Sequence, residues 1–388
     1  MINALINAMK KLKGQSPIGL DIGHDSVKMI QLADNGANGR VMAAAKRYRA
    51  RGAKQLNTER LVSMLRDMYV ESGFSGKAVV SSLPHASLKL TSLRVSDSNE
   101  ERLRDSVQPE MYQRFGLDSE YDVIDYLPAG RVSQGQELKQ EVVVFAVKDK
   151  DIRDHIELLE KAGFEAASIE PSACSLFRCF RRSFKRANDK EQTSVFVDLG
   201  SAFTTVVYSR QGEEINFVKQ IPIGSRKFDS RVASKLGIDT DEAHLLRTQL
   251  QRSAFVGAGT KQLCAVGHRT DGAEMDEGSR RVMTDTIREV AEQLVAEITR
   301  CFRYYAVTFR DHLAKRAIFA GGGVYDPILM DVLQRRLAVD IELVHPLSQL
   351  DITGVDFDGD KRGCLSEWSV AVGLALKQSG KFVSEEQL

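Results

Sequence analysis

Two short phrases, each at the end of an apolar run, carry the side chains best suited to chemistry in this sequence. They read IGLDIG at residues 18–23 and VFVDLG at residues 195–200. In both, the apolar run predicts a buried strand, and the glycine begins a tight turn into the next strand. A carboxylate there can hold Mg²⁺ while the N–H groups of the turn bind phosphate oxygens. We therefore predict that Asp21 and Asp198 bind Mg²⁺.

One lysine is placed to balance phosphate charge. Lys28 lies seven residues after Asp21, on the strand that leaves the first turn. A cation there can neutralise phosphate oxygens, and a lysine on a solvated strand is the alternative interpretation. A single Asp-x-Gly phrase is common in turns. Two copies, each at the start of a three-strand meander, predict two lobes that bind one polyphosphate from both sides.

A third phrase, FAGGGV at residues 319–324, joins a predicted strand to a predicted helix. Its glycines, Gly321, Gly322 and Gly323, have no side chain that could block a flat ring, and they present N–H groups at the start of a helix. A glycine-rich turn without a ligand is the alternative interpretation. Because this phrase follows both aspartate turns, we favour a ligand site.

Composition and charge narrow the function classes. The 388 residues include 54 lysines and arginines against 53 aspartates and glutamates, a balance that argues against nucleic acid as the main partner. Five scattered cysteines without zinc-ligand spacing are typical of a reducing compartment. The sequence has neither an apolar run of about 18 residues nor a signal-peptide pattern. We therefore predict a cytoplasmic protein without a membrane span.

The histidines do not indicate a metal site. Seven are scattered along the chain. No histidine follows at i+4 after His85, His155, His312 or His345. Such positions more often have surface or helix-capping roles, which we predict for these four.

The first residues, MINALINAMKKLK, predict a short basic amphipathic helix. Its apolar face is formed by Ile2, Leu5, Ile6, Met9 and Leu12. A helix of this kind can lie on an anionic membrane surface or on a partner protein. Packing against its own protein is the alternative.

The elements around the two aspartate phrases indicate an α/β fold with a repeat. Each phrase opens a strand, a turn, a second strand, a hairpin turn and a third strand. Between the repeats the pattern predicts strand, helix, strand, strand and helix, a set that would form a small inserted α+β subdomain, with bounds that we place at residues 96–166. A long amphipathic helix precedes the glycine-rich phrase, and a helix of small apolar residues ends the pattern.

These features resemble the actin superfamily, which includes actin, DnaK-type chaperones, sugar kinases and FtsA. Residues 21–28 are similar to its first phosphate motif, residues 198–205 to its second, and residues 320–324 to its adenosine motif. Within that superfamily the sequence resembles the PilM family of type IV pilus assembly proteins. The similar phrases include LDIGHDSVKMIQL, SVQPEMYQRFGLDSEYDVIDYL, IEPSACSLFRCF and AVGLALK.

The resemblance implies an actin-like (ribonuclease H-like) duplicated two-lobe fold with an FtsA-like inserted subdomain. The implied division is 1–15 for the N-terminal segment; 16–95, 167–191 and 365–388 for the core of the first lobe; 96–166 for the insert; 192–225 and 283–364 for the core of the second lobe; and 226–282 for a helical subdomain of the second lobe.

The resemblance also implies that ATP and Mg²⁺ bind between the lobes. The implied contacts are Asp21, Gly23, Asp25, Ser26, Lys28, Asp198, Gly200, Ser201, Thr204, Gly224, His244, Arg247, Gly321, Gly322 and Gly323. Two positions depart from the family pattern. The family has Ala-Glu-x-x-Lys where this chain has His244 and Arg247, and it tends to have a second glycine where this chain has Ser225. Arginine keeps the positive charge of lysine but changes the geometry.

Hydrolysis needs a polar group near the interlobe helix that orients the attacking water. Glu170 and Ser172 are the nearest candidates, and of these we predict Glu170. We expect at most a weak ATPase, with the nucleotide as a structural or switching ligand.

The resemblance implies a cytoplasmic scaffold recruited to the inner membrane. It implies binding to the cytoplasmic tail of a PilN-like membrane protein, in a groove that we expect among residues 83–95 and 107–115. It further implies a ring or platform that contacts other pilus platform and motor proteins, and no nucleic-acid partner. The alternatives are an FtsA-like cell-division protein and a sugar-kinase-like phosphotransferase.

Overall fold

The two aspartate phrases begin two five-stranded sheets. The computed structural model describes residues 16–33, 39–50, 58–96, 100–118, 120–182, 193–210, 214–257, 276–309, 314–357 and 365–377. The first sheet consists of β1 (Ile18–Ile22), β2 (Ser26–Leu32), β3 (Val41–Tyr48), β4 (Ala78–Ser82) and β8 (Glu165–Glu170). The second consists of β9 (Thr193–Leu199), β10 (Thr204–Arg210), β11 (Glu214–Ile221), β12 (Ala314–Ala320) and β13 (Asp340–Leu343).

Both sheets have the same topology. Their strand orders are β3-β2-β1-β4-β8 and β11-β10-β9-β12-β13. In each sheet the first three strands form an antiparallel meander and the last two are parallel to the central strand. The central strands are apolar because elements cover both of their faces. The duplicated fold predicted from the repeat is therefore confirmed.

A third sheet lies between the repeats in sequence. It consists of β5 (Lys89–Ser96), β6 (Val123–Gln134) and β7 (Glu137–Val147), in the order β5-β7-β6. Helix α2 (Glu100–Phe115) covers one face, because Leu103, Val107 and Met111 recur at helical spacing and are buried against that face.

The edges of this sheet differ from the predicted boundaries of the insert. The prediction begins the insert at residue 96, but β5 pairs with β7 along its whole length, from Lys89 opposite Ala146 to Ser96 opposite Lys139. Helix α3 (Asp149–Lys161) falls inside the predicted insert, yet its Leu159 packs in the core of the first sheet. The insert therefore shares its sheet with β5, its last predicted helix contacts the first sheet, and the division into subdomains stays a prediction.

The other helices cover the two five-stranded sheets. They are α1 (Thr58–Glu71), α4 (Ser172–Arg181), α5 (Ser225–Leu236), α6 (Thr240–Gly257), α7 (Glu277–Thr308), α8 (Pro327–Arg336) and α9 (Ser369–Ala375). Helices α4 and α9 pack against each other very closely. A Cβ at Gly373 would lie 1.9 Å from the backbone oxygen of Ser175, so only glycine fits at that crossing.

The inserted sheet also contacts the second lobe through a buried carboxylate. Glu141 on β7 is 1% exposed. It accepts hydrogen bonds from Arg94 Nε (2.8 Å) and from the hydroxyl of Tyr304 on α7 (2.7 Å). The side-chain amide of Asn216 on β11 donates to the backbone oxygen of Ala129 on β6 (2.9 Å). These bonds attach the insert to the second lobe.

Some sequence predictions concern parts of the chain outside the described residues, among them the N-terminal helix, His312, Cys264 and Cys364. Within the described residues, none of the helices is both long and apolar enough to cross a membrane. Cys174, Cys179 and Cys301 are free thiols.

His155 does not have the surface role predicted for it. Its side chain is 5% exposed, and its Nε2 lies 3.0 Å from the hydroxyl of Ser81. Burial lowers the pKa of His155 from 6.5 to about 4. The imidazole is therefore neutral in the folded protein at pH 5, whereas it binds a proton in the unfolded chain.

This difference predicts a loss of stability in acid. The unfolded chain binds more protons between pH 6.5 and about 4, so the free energy of unfolding should fall by roughly 3 kcal/mol as the pH is lowered through that window. In His155→Gln this part of the pH dependence should disappear. The measurement is urea unfolding of both proteins from pH 7.5 to 4.

Ser81→Ala is the matched control, because it removes the hydrogen bond but keeps the buried imidazole. It should retain the acid dependence of the original protein. The same pH dependence in His155→Gln and the original protein would contradict this assignment.

Candidate functional site

The two aspartates lie at equivalent ends of the central strands of the two sheets. Asp21 pairs in register with Lys28, and Asp198 pairs with Thr205 on one side and Ala320 on the other. The ammonium group of Lys28 donates to Asp21 Oδ2 at 3.1 Å. Lys28 is only 7% exposed, which excludes the solvated-lysine alternative.

The charges of Asp21, Asp198 and Lys28 favour the binding of a cation. Burial and the negative charge of Asp21 raise the pKa of Asp198 to about 6. Burial alone would lower the pKa of Lys28, but Asp21, Glu367 and Asp198 together raise it. Lys28 thus bonds Asp21 directly and acts on Asp198 only through its charge, so the remaining negative charge of the two carboxylates can be balanced by Mg²⁺.

The turns after the two aspartates have the same geometry. A Cβ on Gly23 would lie 2.8 Å from the backbone oxygen of Ser26, and a Cβ on Gly200 would lie 2.7 Å from that of Phe203. The second turn supports the start of α5, because Ser225 N donates to the backbone oxygen of Gly200 at 3.1 Å. Ser225, which departs from the family pattern, therefore makes its contact through the backbone.

Two hydroxyls of the second turn differ in their availability. Ser201 Oγ is buried and has no hydrogen-bond partner within the part of the chain that the structure describes. Thr204 Oγ1 donates to the backbone oxygen of Ile223 at 2.7 Å. Among the described residues the hydroxyl of Ser201 therefore lacks a partner, whereas that of Thr204 donates its hydrogen bond to the protein.

The glycine-rich phrase packs directly against the second aspartate. Gly321 has a φ of 85°, a left-handed conformation that favours glycine. A Cβ at Gly321 would lie 2.3 Å from Asp198 Oδ1. A Cβ at Gly322 would meet no atom of the described residues within 4 Å. Gly321 is thus explained by packing, whereas Gly322 borders open space in which a flat ring can lie.

A second buried charge pair links this phrase to the first lobe. The hydroxyl of Tyr325, just after the glycines, donates to Glu367 Oε2. The other oxygen of Glu367 accepts a hydrogen bond from Lys46 on β3 at 2.8 Å. The glycine-rich loop and the first sheet are therefore held together beside the two aspartates.

Arg247 does not have the geometry that the resemblance implied. Its side chain is 5% exposed, and it donates to Asp229 Oδ1 (2.8 Å) and Asp326 Oδ2 (3.3 Å). His244 Nδ1 lies 3.1 Å from Asp229 Oδ2. The arginine therefore joins α5, α6 and the start of α8, and its guanidinium group is occupied by the protein. A small cavity of about 190 Å³ lies beyond it, beside Gln251.

Glu170 is also occupied by protein groups. It accepts hydrogen bonds from both terminal nitrogens of Arg178, from Ser175 and from Lys377, at 2.6–2.9 Å. Although burial alone would raise it, the positive charges of Arg178 and Lys377 lower the pKa of Glu170 to about 2. Glu170, with four donors, is thus the centre of an ion cluster within the protein. These bonds favour a structural role for Glu170 over the predicted water-orienting one.

His85, for which the sequence predicted a surface role, lies between the lobes. The side-chain amide of Gln220 on β11 donates to its Nδ1 at 2.6 Å, and the hydroxyl of Ser172 lies 3.5 Å from its Nε2. Its ring lies beside that of Phe203, with centroids 5.5 Å apart. These partners are 87 to 135 residues away in sequence, so no local pattern could have indicated the contact.

The comparisons with known proteins agree with this fold. A chain of the PilM-PilN type IV pilus biogenesis complex superposes with a TM-score of 0.71 at 20% identity, over 93% of this chain and 98% of that chain. The ethanolamine utilization protein EutJ from Carboxydothermus hydrogenoformans superposes with a TM-score of 0.52 at 12% identity, over 97% and 95%. The fold is that of actin-like ATPases.

A family model supplies the assignment. The model for the type IV pilus assembly protein PilM matches residues 19–252, which include both aspartate turns and the inserted sheet. This segment is more than half of the chain. The chain therefore belongs to the PilM family of type IV pilus assembly proteins.

Proposed function

We propose that this chain is a nucleotide-binding scaffold of a type IV pilus assembly complex. Its membership of the PilM family supports the pilus assignment over the FtsA-like and sugar-kinase-like alternatives. The observation that carries the nucleotide assignment is the buried, unpartnered hydroxyl of Ser201 at the second turn, among the described residues. An unsatisfied buried hydroxyl costs about 1–3 kcal/mol, so a phosphate oxygen that accepts a hydrogen bond from it would stabilise the folded protein.

The ligand in this proposal is ATP with Mg²⁺, bound between the two lobes. Asp21 and Asp198 hold the metal ion, Lys28 balances phosphate charge, and the base side of the nucleotide lies at Gly322. Bound Mg²⁺ supplies the charge that allows both carboxylates to remain ionised beside the phosphates. The remaining turn residues, including Asp25 and Ser26, are proposed to contact the phosphates as the resemblance implies.

A scaffold protein of this kind does not need to hydrolyse its nucleotide. The carboxylate of Glu170 is fully bonded within the protein, and a group without a vacant acceptor does not orient water. We therefore propose that the nucleotide is a structural or switching ligand, and that the chain is at most a weak ATPase.

The partner in this proposal is the cytoplasmic tail of a PilN-like membrane protein. A chain similar to this one forms part of a PilM-PilN type IV pilus biogenesis complex. Binding to such a tail would recruit the chain to the cytoplasmic face of the inner membrane. There it would form a platform, through self-association into a ring, that contacts other platform and motor proteins.

The groove for this tail differs in one respect from the sequence prediction. Val107 and Met111 on α2 are fully buried in the core of the insert, so they cannot line a groove. Asp125 on β6 is a better candidate, because the charges of Arg104 and Lys377 act on its carboxyl group. We propose that the tail binds here, between β6 and the first lobe.

The nucleotide proposal predicts a metal-dependent gain in stability. Mg-ATP should raise the melting temperature of the chain, because a ligand that binds only the folded state stabilises it. Asp198→Asn should weaken Mg-ATP binding by about tenfold or more, equivalent to about 1.4 kcal/mol. It should not destabilise the free protein, because it removes a buried charge next to Asp21. Isothermal titration and thermal melting measure both effects.

Asp331→Asn is the matched control, since this aspartate lies on the surface of α8 with a side chain that is 46% exposed. It should bind Mg-ATP as tightly as the original protein. Equal affinities of Asp198→Asn and the original protein would rule out Asp198 as a metal ligand.

The partner proposal predicts a charge effect in the groove. A labelled peptide of a PilN-like cytoplasmic tail should bind the full chain. Asp125→Lys should weaken that binding by about tenfold, because it reverses the charge at the proposed binding site. Fluorescence anisotropy measures the affinity. Glu120→Lys, on the exposed turn before β6, is the control and should have little effect. Peptide binding that is unchanged in Asp125→Lys would exclude this groove.

A further inference from the structure

A group of cations surrounds the first phosphate turn. Arg49 follows β3, and its Nη1 donates to the backbone oxygen of Gly23 at 2.8 Å. Its backbone N–H donates to the backbone oxygen of Asp25, also at 2.8 Å. Arg226 comes from the other lobe, and its Nε lies 3.8 Å from Asp25 Oδ1. Two guanidinium groups from different lobes therefore lie at the first turn, and that of Arg226 contacts the carboxylate of Asp25.

At this turn the guanidinium groups of Arg49 and Arg226 outnumber the one carboxylate of Asp25. The pKa of His24 is lowered by burial and then by the charges of Arg226 and Arg49, with Asp25 acting in the opposite direction. Burial lowers the pKa of Arg49, the charge of Asp25 raises it, and the charge of Arg226 lowers it by a smaller amount. A surplus of positive charge beside a turn attracts an anion with more than one negative charge.

The backbone of Arg226 is fixed to the other turn. Its N–H donates to the backbone oxygen of Ser201 at 3.0 Å, in the first turn of α5. Its side chain then crosses to Asp25 on the first turn. The residue is therefore attached to one phosphate turn while its charge acts on the other, and it connects the two lobes at the point where a polyphosphate would lie.

The contact between Arg226 and Asp25 is a loose one. At 3.8 Å it is longer than the 2.7–2.9 Å of a good charge-assisted hydrogen bond. The side chain of Arg226 is 33% exposed, so its guanidinium group can exchange Asp25 for another anion. A phosphate group carries more charge than a carboxylate and can accept two parallel hydrogen bonds from arginine.

We propose that Arg226 is a cross-cleft latch that binds the terminal phosphate of the nucleotide and so distinguishes a triphosphate from a diphosphate. In the free protein Asp25 holds the latch, and in the triphosphate complex the terminal phosphate replaces Asp25. The two lobes are then connected through the ligand rather than through a weak ion pair. This inference rests on the proposed nucleotide binding, and it assigns the sensing of the nucleotide state to a single side chain.

The test is the affinity of the full chain for Mg-ATP and Mg-ADP, measured by isothermal titration. The original protein should bind ATP about tenfold more tightly than ADP. Arg226→Ala should lose about tenfold in ATP affinity and less than about twofold in ADP affinity. Arg226→Lys should recover part of the ATP affinity, because it keeps the charge but not the bidentate geometry.

Arg231→Ala is the matched control on the same helix, because Arg231 pairs with Glu289 on the surface. It should leave both affinities unchanged. Thermal melting should show that Arg226→Ala folds as stably as the original protein, since the lost ion pair is long and partly exposed.

The outcomes separate this inference from the proposal on which it rests. If the original protein binds neither nucleotide, the nucleotide proposal fails, and the latch fails with it. If the original protein binds nucleotide but Arg226→Ala weakens ATP and ADP equally, or weakens neither, only the latch is overturned. Loss of ATP affinity alone, with partial recovery in Arg226→Lys, supports it.

Discussion

Two partly buried aspartates and one buried lysine are the constraint on which the rest of the structure depends. Asp21 and Asp198 come from different lobes, yet the charges of both raise the pKa of Lys28, and that of Asp21 also raises the pKa of Asp198. Lys28 donates a hydrogen bond to Asp21. A buried pair of like charges is costly unless a cation balances it. The duplicated sheets bring the carboxylates together, and the buried pair of Lys46 and Glu367 ties the neighbouring elements in place.

The residues of the two aspartate turns and the glycine-rich phrase could be predicted from the sequence, because short local phrases encode them. Strand, turn and glycine recur at fixed spacing, and their repetition indicated the two lobes. The partners of single charged side chains could not be predicted in this way. Arg247 bonds Asp326, which lies 79 residues further along the chain, and Glu170 bonds Lys377, which lies 207 residues further along. Both side chains looked available to a ligand in the sequence, and the fold bonds both of them within the protein.

The inserted sheet connects the proposed partner groove to the second lobe. Its strand β6 carries Asp125 on the side of the first lobe, and Ala129 on the same strand accepts a hydrogen bond from Asn216 in the second lobe. Glu141 attaches the neighbouring strand to α7. A tail bound at Asp125 and a nucleotide bound in the cleft would therefore act on the same pair of lobes. This arrangement suits a scaffold whose partner contacts respond to its nucleotide state.

The central claim is that one nucleotide contacts both lobes through the two turns and the glycine-rich loop. Hydrogen exchange followed by mass spectrometry, with and without Mg-ATP, tests it most directly. Because the phosphates would occupy the N–H groups of the two turns and the base would cover the glycine-rich loop, we expect slower exchange at residues 23–26, 200–204 and 321–324 together. Slower exchange in the segments of only one lobe, or at none of them, would contradict it.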